Sequence, residues 1–183
     1  QNLLEIKHST CLRTATYLSK KYRSQSTKSY ILIKNQAPSE FQYGLKYQYY
    51  EQITEELKNI EKFTPIYTGT SYLLQIDKIK KRDNNFSIKF NGILDIDKSG
   101  QYTFFLTSDN GSKLILDEQN TLETQNFIDK PIRNTIYLDE GFHPITIYYN
   151  EKEGEENLEL KYAGPDFSKR KIPPWKFLTQ KDN

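Results

Sequence analysis

The residues of this sequence that could do chemistry are mostly carboxylates and carboxamides. Only two histidines, His8 and His143, and one cysteine, Cys11, are present. HExxH, GxSxG, Walker and CxxC patterns are all missing, so the usual sequence marks of zinc, hydrolase, nucleotide and redox chemistry are absent, and the chain reads as non-enzymatic. His143, just before Pro144, reads as a half-exposed strand residue. Cys11 has no partner within the chain and reads as a free, inert thiol. Asp95-Ile96-Asp97-Lys98-Ser99-Gly100 sets oxygen side chains at positions 1, 3 and 5 and glycine at 6, as a calcium-binding EF-hand loop does. The pattern then fails, because position 12 is Leu106 and the flanks alternate like strands, so the segment reads as a hairpin turn with Gly100 at positive φ. Asn150 to Asn157 carries Glu151, Glu153, Glu155 and Glu156, a density that suits either help to a cation or a solvated hairpin. A glycosidase-type carboxylate pair, about 5 to 9 Å apart, is not visible in sequence.

The elements that must position these groups are strands. In Phe86-Ser87-Ile88-Lys89-Phe90 the apolar residues recur at every second position, which sends one face inward and leaves the other wet. Short runs of the same kind follow at 101–107, 113–116, 135–138, 143–149 and 158–162, separated by Lys98-Ser99-Gly100, Asp109-Asn110-Gly111, Asp139-Glu140-Gly141, Glu153-Gly154 and Gly164-Pro165. That spacing predicts an antiparallel sandwich or barrel. Valine is absent and alanine scarce, while isoleucine, phenylalanine and tyrosine abound, a composition that leans to β structure. Ile53, Leu57 and Ile60 predict one short helix over Gln52–Lys62, capping an end of the sandwich. Near the N-terminus, Cys11, Ala15, Leu18 and Tyr22 predict a helix over Thr10–Tyr22, Lys20 to Lys28 a basic loop, and Tyr30 to Ile33 a strand.

Length and charge bound the rest. With 183 residues the chain fits one compact domain with a short appendage. A net charge of +2 with both signs interspersed gives no basic face for nucleic acid. No run approaches the roughly 18 apolar residues of a transmembrane segment. The absence of methionine and the leading Gln1 suggest an excised domain or a mature secreted end.

Four ordered blocks carry a more specific signal: Tyr43-Gly44-Leu45-Lys46-Tyr47-Gln48-Tyr49-Tyr50, Gly92 through Phe104, Thr107-Ser108-Asp109-Asn110-Gly111 leading to Leu114-Ile115-Leu116-Asp117, and Leu138 through Tyr149 with Leu158-Glu159-Leu160-Lys161-Tyr162. Together, over about residues 41 to 178, they resemble the PA14 domain family, found in clostridial binding components, glycosidases and fungal adhesins. The resemblance implies an all-β, antiparallel β-sandwich with Tyr102, Phe104, Leu114 and Leu116 in its core. In the family's lectins two consecutive aspartates, joined by a cis peptide, bind a calcium ion that coordinates sugar hydroxyls, and a later loop adds an asparagine and backbone carbonyls. The aspartate pair matches Asp109-Asn110 here, which costs the site one negative charge. For the later loop the candidates are Asn150, Glu151 and Asn157. Asn110-Gly111-Ser112 and Asn85-Phe86-Ser87 are also glycosylation sequons, and Trp175 reads as a core plug rather than a sugar-stacking ring. Tyr47, Tyr49 and Tyr50 alternate, so some are expected to face outward.

These readings give an N-terminal extension over 1–40, a sandwich over 41–178 with a short capping helix, and a tail over 179–183. The expected function is an extracellular, secreted or cell-surface carbohydrate-binding or adhesion module. Its ligand-facing residues are Asp109, Asn110, Asn150, Glu151 and Asn157, and a calcium ion is held by Asp109, Asn110 and Asn150. The partner is a glycan or glycoprotein. The alternative is a metal-free protein-interaction or structural module of a larger surface complex or secreted toxin, binding a protein partner.

Overall fold

The computed structural model describes residues 10–14, 17–19, 22–23, 27–31, 39–124, 130–154 and 156–181. It divides into two compact units, Gln1–Glu40 and Phe41–Asn183. In the first, β1 (Thr10–Thr14) pairs antiparallel with β4 (Thr27–Ile31), and β2 (Tyr17–Ser19) with β3 (Tyr22–Arg23). The helix expected over Thr10–Tyr22 is therefore strand where it is described. Threonines bracket β1, and Cys11 lies opposite Tyr30, a pairing in which β-branched and aromatic residues do better than in a helix.

The second unit is a sandwich of two antiparallel sheets. The larger contains β5 (Phe41–Tyr43), β6 (Leu45–Tyr50), β7 (Tyr67–Ser71), β8 (Phe86–Ile96), β10 (Ser112–Leu116), β11 (Gln119–Thr124), β13 (Gly141–Glu151) and β16 (Phe177–Gln180). The smaller runs in the order β12 (Ile132–Leu138), β9 (Gly100–Ser108), β14 (Leu158–Gly164), β15 (Phe167–Lys171). Period-two alternation decides which side chains meet between the sheets. Tyr102, Phe104 and Leu106 of β9 and Leu158, Leu160 and Tyr162 of β14 face Phe86, Ile88, Phe90, Leu114, Leu116, Ile145, Ile147 and Tyr149 in one buried core. The final strand runs to Gln180, where Thr179 and Gln180 pair with Gln42 and Phe41, so the expected tail begins inside a strand.

The spine of the large sheet is β8 against β13, in register from Gly141–Ile96 to Glu151–Phe86. On its other edge β8 is shared: β6 pairs with Ser87 to Asn91, and β16 with Ile93 and Leu94. Gly92 sits where the two partners abut. A Cβ there would lie 2.5 Å from the Leu178 carbonyl oxygen and 2.7 Å from Leu45 Cδ2, so this position needs glycine for close backbone approach.

The helix expected over Gln52–Lys62 is shorter and tighter, a 3₁₀ helix over Leu57–Lys62. The carbonyls of Gln52 and Thr54 are taken by the Ser87 hydroxyl at 2.5 Å and the Asn150 side-chain amide at 2.8 Å, which holds that stretch extended. Leu57 and Ile60, three residues apart, share one face of a 3₁₀ turn. They bury against Tyr50 and Tyr148 on the outer face of the large sheet. Of the three tyrosines expected to alternate, Tyr50 points outward, as expected of some of them, yet is covered, while Tyr49 is in the core and Tyr47 packs against it. A short helix, α1 (Ile76–Ile79), adds Ile76 and Ile79 to the core. Trp175, in a 3₁₀ turn over Pro174–Lys176, is only half-buried and is not among the core residues, so it is not the core plug expected, whereas Phe177 and Leu178 are fully committed to burial.

Gly92→Ala is expected to cost about 2 kcal/mol, because backbone on one side cannot yield. Gly111→Ala meets nothing closer than 3.5 Å and should stay within about 0.5 kcal/mol. Urea unfolding of the two variants checks the contrast.

Candidate functional site

Two connections cross between the sheets side by side at one end of the sandwich. Asp109-Asn110-Gly111 carries the chain from Ser108 of β9 in the small sheet to Ser112 of β10 in the large one. Residues 152–157 carry it back from β13 to β14. Ser108 and Ser112 are fully buried with their hydroxyls 2.7 Å apart, and the Ser108 hydroxyl also donates to the Asn110 carbonyl at 2.6 Å, which fixes the first crossing as a tight turn. The two crossings are tied by Asp109 N–H to the Asn157 carbonyl (3.2 Å) and by Asn150 N–H to the Gly111 carbonyl (2.8 Å).

Side chains then converge from both. Asp109 Oδ1 accepts from the Tyr149 hydroxyl at 2.9 Å and from the Asn157 backbone N–H at 3.0 Å. The Asn110 amide nitrogen donates toward Asp109 Oδ2 (3.0 Å), Glu151 Oε1 (3.1 Å) and the Glu153 carbonyl (3.3 Å). Tyr149 also contacts Glu151 Oε2, and Glu151 is wholly buried. One tyrosine hydrogen thus stands between two carboxylates. It satisfies both only when Glu151 carries a proton of its own and gives it to the phenol oxygen, leaving the phenol hydrogen for Asp109. Burial first, and the Asp109 charge beside it, push the Glu151 carboxyl up to about 7 against the opposing pull of the Tyr149 hydrogen bond. The same burial and the two carboxylates raise Tyr149 far above the ordinary phenol range, so it stays a neutral donor.

The expected site residues divide accordingly. Asp109, Asn110 and Glu151 meet in this network, and Asn157 joins it through its backbone while its side chain lies exposed. Asn150 does not. Alternation along β13 turns it to the outer face, where Ser87 approaches its Oδ1 at 2.6 Å and its amide holds Thr54. Tyr149 was missed by the sequence reading, although its spacing of two from Glu151 puts both on one face of the strand. Of the acidic stretch, Glu155 lies outside the described residues, and Glu156 is paired with Lys80 at 2.5 Å. The EF-hand-like carboxylates Asp95 and Asp97 both belong to the nearly buried Lys176. His143 bridges Asp117 Oδ2 and the Asp139 carbonyl, each at 2.8 Å.

The oxygens around Asn110 are hard donors of the kind calcium takes. Both Asp109 oxygens and Glu151 Oε1, however, already face hydrogen donors inside the protein, Glu151 Oε2 is engaged with the Tyr149 phenol, and the Asn110 side chain presents its NH₂ rather than its oxygen to them. Among the described residues no three His, Cys, Asp or Glu side chains are placed to hold a metal ion. The Asp109–Asn110 peptide is trans. As arranged, the donor set does not fit a calcium ion.

A profile of the PA14 domain matches residues 42–175. Among solved structures the chain resembles an anti-sigma factor domain-containing protein from Clostridium clariflavum, with a TM-score of 0.60 and 18% identity, covering 89% of this chain but only 58% of that one. It also resembles the epithelial adhesin 9 A domain from Candida glabrata, solved in complex with Galβ1-3GlcNAc, with a TM-score of 0.65, 11% identity and coverage of 80% and 93%. A PA14 sugar-binding domain from an RTX adhesin aligns with a TM-score of 0.56 at 15% identity, covering 75% of this chain and 98% of that domain. At these identities the likeness is one of fold. None of the curated proteins matches the chain.

Because the folded Glu151 holds its proton up to about 7, against 4.5 when unfolded, the native state binds more protons between those values. Its contribution is fully present below about 4.5 and is lost as pH rises through 7, by up to about 3 kcal/mol. Chemical denaturation at pH 5 and pH 8 should show that fall in the native sequence, and Glu151→Gln should remove most of it.

Proposed function

The chain belongs to the PA14 domain family, and from that premise we propose that it is a non-enzymatic carbohydrate-recognition or adhesion module of an extracellular protein. Its glycan-facing end is the pair of crossing loops around Asp109. The observation that carries this reading is the position of Asp109-Asn110, the residues matching the family's ligand loop, beside the β13–β14 crossing with Asn157 exposed at the rim. The relatives solved as sugar-binding adhesin domains support the same class of ligand. Among the described residues no helix is long and apolar enough to cross a membrane.

A second reading, a protein-interaction module of a larger assembly, draws on one specific feature. Phe63, Ile66, Tyr67 and Tyr72 lie close in sequence and are each about half exposed, between 43% and 56%, and clustered exposed apolar side chains are a common mark of protein contact surfaces.

A glycan-array screen of the native domain and of Asp109→Ala discriminates the two. Glycan hits lost in the variant, with the variant still showing a cooperative melt, are the expected result. A blank array with well-folded native protein would move the assignment to a protein partner.

A further inference from the structure

The Asn110 amide nitrogen stands within 3.3 Å of oxygens from three separate positions, Asp109, Glu151 and Glu153. That is the arrangement of acceptors around a positive centre, with a neutral NH₂ at the middle of it. We propose that the Asn110 carboxamide is this domain's built-in substitute for a bound cation, so that the two crossing loops are locked together without metal. Three features support it independently of any ligand. The amide reaches from the first crossing to both Glu151 and the Glu153 carbonyl. The remaining acceptor capacity of Asp109 is filled by Tyr149 and the Asn157 N–H. The adjoining Glu156 is answered by Lys80, which also reaches Asp83 at 3.1 Å, so positive charge near the loop is covalently part of the chain.

The chemistry of the alternative makes the difference sharp. Turning the amide over to offer its oxygen would break the hydrogen bonds to both carboxylates and set three oxygens against one another. An aspartate at 110 would do the same permanently and add a charge. That replacement should therefore create a need for an ion where the native protein has none. The inference concerns how the loop is held, and it stands whether or not a glycan binds.

Thermal unfolding of the native domain, Asn110→Asp and Asn110→Ala, each in chelator and in about 5 mM calcium, tests it, because an ion held only by the folded state must raise Tm. The native protein should melt within about 1 °C in the two buffers. Asn110→Asp should melt at least about 5 °C lower in chelator and recover most of that loss in calcium. Asn110→Ala should melt lower in both buffers and gain nothing from calcium. A calcium-dependent rise in the native protein would overturn the proposal. So would an Asn110→Ala melt like the native one, or an Asn110→Asp whose loss calcium does not repair. If Asn110→Asp yields no folded protein, the native and alanine curves still decide the matter.

Discussion

The register of β13 against β8 is the constraint on which the rest of the sandwich depends. Eleven consecutive residue pairs fix it, and the period of a strand is two. A slip of one residue would carry Ile145, Ile147 and Tyr149 to the outer face and bring Tyr148 and Asn150 between the sheets. What pins the register is visible on both faces at once. Inside, Tyr149 packs on Phe86 with ring centroids 6.2 Å apart. Outside, Tyr148 joins Tyr50, Leu57 and Ile60 in the smaller buried cluster and reaches Glu61. The 3₁₀ helix thus covers Tyr148 on the outer face of β13, while Asn150 is buried on that face beside Ser87 and Thr54 and Glu151 on the inner face beside Tyr149 and Asn110.

Burial of that pair has to be met with hydrogen bonds, since an unpartnered polar group in such a place would cost a few kcal/mol. Asn150 holds the Thr54 carbonyl on one side and shares the Ser87 hydroxyl hydrogen with the Gln52 carbonyl. Glu151 finds Tyr149 and Asn110 on the other. The same accounting recurs elsewhere: Lys176 answers Asp95 and Asp97, and His143 answers Asp117. Acidic patterns that look like ion sites along the chain are, in space, closed by donors from distant sequence.

This separation explains what was legible. The strands, their core-facing residues and the family were readable because alternation and turn residues are local properties of the chain, and Tyr102, Phe104, Leu114 and Leu116 are buried as that pattern requires. Asp109, Asn110 and Glu151 were readable as one site through the family's motif. The donors were not, because Tyr149 and the Asn157 N–H lie about forty residues from Asp109 and meet it only through pairing. Asn150 was placed by resemblance to the wrong face for lack of its register. The helix boundaries failed for a related reason: carbonyls of Gln52 and Thr54 are claimed by side chains on β8 and β13, and no local propensity reports that claim. At Thr10–Thr14 periodicity of three and four was accidental, and pairing with β4 decided the conformation.

The neighbouring positions of β5 and β16 have a mechanical consequence. The sandwich begins at Phe41 and its last strand ends at Gln180, and these residues are partners in an antiparallel pair. Entry and exit therefore emerge together at one edge of the large sheet. A tension applied through the two ends would open the Phe41–Gln180 end of this pair first and load its hydrogen bonds one after another, as a zip, instead of straining them together in shear. The same adjacency lets the whole sandwich hang as a pendant from a single surface loop of another protein, adding almost no length to the path of the host chain.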